Sequence, residues 1–236
     1  MAILAHAKHI ATLGCSNSGD LVGNSWPVIL ADRLNCTLTQ FWSNGAGNEG
    51  MNVEKFVALA NTKPDAIFVS LTAISRFAVS LNTAKLTENK SGTDGTYFNG
   101  NKYYTINHVN NRNNLITMGY KCSKSTDNLL FTMTATDYNS EFKIFHTIST
   151  LMHIANSFDI PVYMFSWFDD IESQLLKKYS IWNKTFPYKN YLFDNAQSIL
   201  SSAKFNVAPC GHWYEDAHSY LVDTHLIPKL MTRQKQ

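Results

Sequence analysis

Apolar and polar positions alternate between two periods along this chain. His9 to Leu13 and Ala66 to Leu71 (AIFVSL) read as short apolar runs of the buried-strand type, and Ile160 to Trp167 (IPVYMFSW) reads as a third. Between them the apolar positions recur at helical spacing: Trp26 to Leu34 (WPVILADRL), Val53 to Ala60, about Phe142 to Phe158, and Tyr214 to Leu226, the last expected to close before Pro228. Strands that alternate with helices predict an α/β fold, with a mostly parallel central sheet covered by helices on both faces and right-handed crossovers. In such folds ligands sit beyond the carboxyl ends of the strands, so the loops after Leu13, Leu71 and Trp167 are expected on one rim.

The pattern breaks between about Leu81 and Ser140, where Asn, Thr, Tyr and Gly dominate (GTDGTYFNGNKYYTINHVNNRNN). The stretch is too long and polar for a simple connection and reads as an insertion in one domain spanning 1–236. It lies over or beside the rim, or is a surface flap without function or a disordered loop.

Composition narrows the picture. The 236 residues, 44% hydrophobic and 13% aromatic, are enough for a proper core. A net charge of +2 with no basic run leaves no electrostatic footprint for nucleic acid or an anionic membrane. The expected partner is therefore a neutral small molecule or carbohydrate. The opening MAILAHAKHIATLG lacks the basic head and long apolar core of a signal peptide, and no run approaches a membrane span. A soluble protein, cytoplasmic or virion-associated, is the expectation. Four scattered cysteines without CxxC spacing point to free thiols rather than a disulfide framework or structural metal.

Candidate chemistry lies at the two ends. In ATLGCSNSGDLVGNSWP a serine follows a buried strand in a glycine-flanked turn that leads into a helix. A hydroxyl held there faces the rim, where backbone N–H groups can stabilise an oxyanion. Ser16 meets the description and Ser18 is second, although serine in such a turn is also an ordinary cap or turn residue. A base is available in PCGHWYEDAHSYLVDTHLIPKL: His212 stands in a loop before a helix, free to shuttle protons, while His218 lies within the helix, suited to orienting or packing.

These residues resemble the SGNH, or GDSL-like, hydrolases, three-layer α/β/α esterases of flavodoxin-like architecture. Gly14-Cys15-Ser16 is similar to the nucleophile block with cysteine in the aspartate position, and Ser18-Gly19-Asp20 followed by Trp26-Pro27 and Leu30-Ala31 resembles phage and bacterial variants. The resemblance implies an oxyanion-hole glycine in SNGAGNEGM, at Gly45 or alternatively Gly47, with Asn48 nearby. The family's third block, Gly-x-Asn-Asp, is replaced by Thr72-Ala73-Ile74-Ser75-Arg76, so Thr72, Ser75 or Arg76 would donate instead. Cys210 occupies the last block's aspartate position, two residues before His212, and His218 matches the second histidine six residues on. An orienting acid for His212 would then be Asp216 or Asp169, or a backbone carbonyl. Asp216 at a helix start also has the ordinary role of complementing the dipole.

Cys15 and Cys210 are open to three readings: small fillers, a redox-sensitive pair, or soft metal ligands with His212, for which no fourth ligand is evident. No metal or other cofactor is expected. The implied activity is ester hydrolysis, on a short-chain ester or an O-acetylated carbohydrate, without cofactor. A fold-retaining binding or structural protein that has lost catalysis is the alternative, and an acyl or glycosyl transferase using the same serine is a third.

Overall fold

The computed structural model describes residues 6–43, 48–72, 76–80, 96–98, 101–107, 137–168, 170–172, 187 and 189–233. The main sheet contains β1 (His9–Cys15), β2 (Thr37–Ser43), β3 (Ala66–Leu71) and, later in the chain, β7 (Val162–Ser166). Its order is β2-β1-β3-β7 and all pairs are parallel. The segment after Asn190 adds to the β7 edge: Met164 and Tyr191 form a parallel bridge, Met164 N–H donates to Asn190 O and Leu192 N–H to Met164 O, both at 2.7 Å.

The apolar runs arise because this sheet is buried on both faces. Along β1, β3 and β7 successive side chains enter two separate clusters. Ile10, Cys15, Ala66, Phe68, Tyr163, Phe165 and Trp167 pack on one side, with α1 (Trp26–Leu34), α4 (Ala196–Ser202) and the C-terminal helices. Ala11, Leu13, Ile67, Val69, Leu71, Val162 and Met164 pack on the other, with α2 (Asn48–Asn61) and α3 (Asp137–Phe158). Period-two alternation with both sides apolar reads in sequence as an uninterrupted hydrophobic run. The result is a three-layer α/β/α sandwich. Among the described residues no helix is long and apolar enough to cross a membrane.

α2 and α3 begin earlier than the sequence reading expects, α4 is not in it, and two further elements depart from it. β2 is an edge strand in which none of residues 37–42 is fully buried, and its alternation of Thr, Gln and aromatic residues is too polar to stand out as a strand. The final helix does not stop before Pro228. It runs as α5 (Glu215–Leu221), a π turn (Val222–Leu226) and α6 (Ile227–Arg233). In the π turn Ile227 N–H donates to Val222 O, five residues back, so a new α segment begins at Ile227. Pro228, which has no N–H to donate, sits directly after the π turn, where the hydrogen-bond register changes.

The insertion is not wholly irregular. Three strands, β4 (Arg76–Ser80), β5 (Thr96–Phe98) and β6 (Asn101–Asn107), form a separate antiparallel sheet in the order β4-β6-β5, with β4 beginning before Leu81. β4 lies beside α2.

Gly14 and Gly211 need glycine for different reasons. A Cβ on Gly14 would overlap Ser18 Oγ and Ser70 Oγ, whereas Gly211 has open space around it but a φ of 83°. Gly14→Ala is therefore expected to destabilise by about 1–3 kcal/mol through overpacking, and Gly211→Ala by about 1 kcal/mol through left-handed strain alone. Urea unfolding of the two variants checks this ordering.

Candidate active site

β1 delivers the chain to the rim at Cys15, which is fully buried, and a single 3₁₀ turn, Ser16–Ser18, follows, closed by Gly19 N–H donating to Ser16 O at 3.1 Å. The two serines of this turn have opposite fates. Ser18 folds back under the sheet and is 1% exposed. Its hydroxyl shares a hydrogen bond of 2.8 Å with that of Ser70 on β3 and accepts Trp26 Nε1–H at 3.0 Å, while its carbonyl accepts the Ser25 hydroxyl at 3.1 Å. Ser18 is thus a buried junction of β1, β3 and α1, unsuited to attack a substrate. Ser16 heads the turn and remains partly exposed.

The loop after the turn is closed by Asp20. Its Oδ1 accepts the Ser25 N–H at 3.0 Å and the Ser25 hydroxyl at 2.6 Å, and its Oδ2 accepts from Gln40 at 3.4 Å. Gly19 packs against β2 so closely that a Cβ would lie within 2.7 Å of three atoms of the Trp42 indole.

The C-terminal half of the site is a tight loop. Val207 and Trp213 form an antiparallel bridge, Ala208 N–H donates to His212 O, and Gly211 N–H donates to Ala208 O, both at 2.8 Å. Trp213 is buried and anchors the loop, leaving His212 half-buried just before α5. Glu215 opens that helix and reaches the N-terminal loop, accepting Asn24 N–H at 3.1 Å and Asn24 Nδ2–H at 3.3 Å. Gly23, with φ 85°, lets the loop turn against Glu215. A second link joins the same halves of the chain: Arg33 of α1 makes a two-pronged ion pair with Asp223 of the π turn, at 3.0 and 3.2 Å.

Behind these loops lies His218, 3% exposed, with its ring 5.9 Å from that of Trp167. Burial pushes its pKa down to about 4; Asp20 opposes the shift, His212 adds to it, and Asp216 and Glu215 oppose it. Asp20, four residues after Ser16, and His212 therefore both act on one imidazole. The Asn24–Glu215 bonds join the same two stretches of chain.

The remaining candidates fall into place around this frame. Asn48, buried at the start of α2, donates through Nδ2 to Thr72 O at 3.0 Å and accepts Thr72 N–H through Oδ1 at 2.8 Å. The pair ties α2 to the carboxyl end of β3, so Asn48 and Thr72 hold the rim's backbone in place. Asp216 is exposed in the first turn of α5 and its Oδ1 accepts Ala217 N–H at 2.8 Å, the dipole-complementing position. Arg76 opens β4. Cys15 is buried and Cys210 is exposed. Gly45, Gly47, Ser75 and Asp169 lie outside the described residues. Among the described residues no group of three or more His, Cys, Asp or Glu side chains could hold a metal ion.

Sequence reasoning missed the roles of Asp20, Asn24, Glu215 and Ser70. Ser70 carried a signal, being the polar residue within AIFVSL; the others are ordinary loop and helix-start residues whose partners lie on distant parts of the chain.

No family model, no curated protein and no solved structure matches this chain.

The buried His218 imposes a pH dependence. Its folded pKa lies below the ordinary value of 6.5, so its contribution to stability is complete above about pH 6.5 and is lost as pH falls toward 4, where the unfolded chain takes up a proton that the folded one refuses. The loss is on the order of 3 kcal/mol. His225, also lowered by burial and then by Lys229, acts in the same direction. Urea midpoints measured between pH 7 and 4 (about those limits) should fall steeply for the native chain and much less for His218→Leu.

Proposed function

We propose that this protein is a serine esterase that hydrolyses carboxylic esters, with an O-acetylated carbohydrate or a small ester as substrate. The observation that carries the reading is the Asn24–Glu215 pairing, which brings the loop after Ser16 to the helix that follows His212 across 191 positions of sequence. It supports a site assembled from a serine at the end of a buried strand and a histidine on a loop, the arrangement that acyl transfer needs.

In this mechanism His212 accepts the Ser16 hydroxyl proton as Oγ attacks the acyl carbonyl. The tetrahedral oxyanion accepts the backbone N–H groups of Ser16 and Gly45. Collapse expels the alcohol, which takes the proton from His212, and leaves an ester on Ser16 Oγ. Water, deprotonated by His212, attacks that ester; the carboxylic acid departs and the serine regains its proton. His218, neutral over the working range, adds no second positive charge beside the imidazolium that forms on His212.

A fold-retaining binding protein without catalysis is the second reading. Two observations favour it: Cys210, in the position where the resemblance expects the orienting aspartate, is exposed, and the Asn48 amide is engaged with the Thr72 backbone.

Turnover of p-nitrophenyl acetate separates the readings. Ser16→Ala and His212→Ala should each lower kcat/KM by at least about 1,000-fold with the fold intact, and a fluorophosphonate probe should label Ser16. Unchanged rates in both variants, with no label on Ser16, exclude the esterase.

A further inference from the structure

An open pocket of about 490 Å³, to which neither Ser16 nor His212 contributes, lies on the face of the sheet that carries α4 and the C-terminal helices. One wall is α4, from Asn195 and Ser198 down to Ser202; the opposite wall is Tyr220 and His225; Asp170 and Asp194 close the end beside β7. The size is that of a small-molecule site.

The π turn shapes the second wall. Residues five apart lie about 140° apart around a regular α-helix and cannot share a face. By adding one residue to the turn, Val222–Leu226 rotates His225 back over Tyr220, and the two rings stand 5.8 Å apart. Phe205 backs Tyr220 at 5.1 Å and Phe193 backs His225 at 6.0 Å, so both rings are held in place. Single π turns inside α-helices recur at functional sites because they aim side chains that a regular helix would not.

The end of the cavity is equally fixed. Asn195 takes a left-handed conformation, φ 50°, its Oδ1 accepts Ser198 N–H at 2.9 Å, and its Nδ2 donates to Asp170 Oδ1 at 3.2 Å. Asp194 Oδ1 accepts the Tyr191 hydroxyl and, at 3.0 Å, Glu172 N–H. These bonds orient two carboxylates and an amide before any ligand arrives, which lowers the ordering cost of binding. Oriented carboxylate and amide acceptors beside ring faces and serine hydroxyls suit a ligand with many hydroxyl groups on one side and C–H surface on the other.

We infer that the cavity between α4 and the π turn is a saccharide-binding site, with Tyr220 and His225 as the ring platform and Asp170, Asp194, Asn195 and Ser198 as the hydroxyl-binding groups. The inference is independent of the chemistry proposed for Ser16.

Saturation-transfer NMR on the full chain tests it, with methyl glucoside, N-acetylglucosamine and maltose as saccharide probes and tetramethylammonium as a cation probe. At least one saccharide should bind saturably in the millimolar range, and Ser198→Arg, which fills the cavity from an exposed position of α4, should weaken it at least about tenfold. Ser202→Arg, also exposed, is the second blocking variant should the first fail to fold. Ser16→Ala should bind the saccharide as the native chain does, so loss of esterase activity leaves this result untouched. Absence of saccharide binding, binding of tetramethylammonium alone, or saccharide binding indifferent to a folded blocking variant overturns the assignment.

Discussion

The close approach of Ser18 to Gly14 is the constraint on which the rim depends. Because residue 14 has no Cβ, the chain can leave β1, turn once, and tuck the Ser18 hydroxyl beneath the strand it has just left, within reach of Ser70 and the Trp26 indole. Three elements, β1, β3 and α1, are joined at that hydroxyl in a region shielded from water, where such bonds are stronger and an unmatched group would be costly. One consequence is that Ser16, two residues earlier, is left at the outside of the turn. The buried serine and the partly exposed serine are products of one packing event.

A second layer of organisation joins chain segments about 190 positions apart. Asn24 with Glu215, and Arg33 with Asp223, hold the first helix and its leading loop against the last helices. Exposed pairs of this kind contribute little stability. Their effect is positional: together with the shared apolar cluster of α1 and α5 they hold the loop after Ser16 against the start of α5. His218 is buried against Trp167 and kept neutral by that burial. The same C-terminal segment serves a different purpose farther along, where the π turn accommodates Pro228 and sets His225 over Tyr220. One helix interruption therefore shapes a second concave surface on the molecule.

Much of this was legible in the order of residues. Trp26–Leu34 and Ala66–Leu71 have the same bounds in the sequence reading and in the structure. The reason is physical: two-sided burial produces apolar runs, and Trp-Pro at a helix start with Asn35 in a left-handed conformation after its end marks both boundaries locally. Ser16 and Ser18 could not be separated from sequence with the same force, because both follow the same strand in the same polar turn. Their difference lies in Ser70 and Trp26, one 52 positions away and the other across the loop.

The sequence by itself determined the layer architecture, the parallel sheet and the placing of a serine loop at a strand end and of a histidine in the loop before a helix, since these follow from local periodicity and turn chemistry. Tertiary structure alone decided which serine is buried, that Asn48 clamps Thr72, that β2 completes the sheet as a half-exposed edge, and that the last helix passes through Pro228. Each of those outcomes rests on a partner distant in sequence or on a backbone hydrogen-bond register, and neither leaves a periodic mark on the chain.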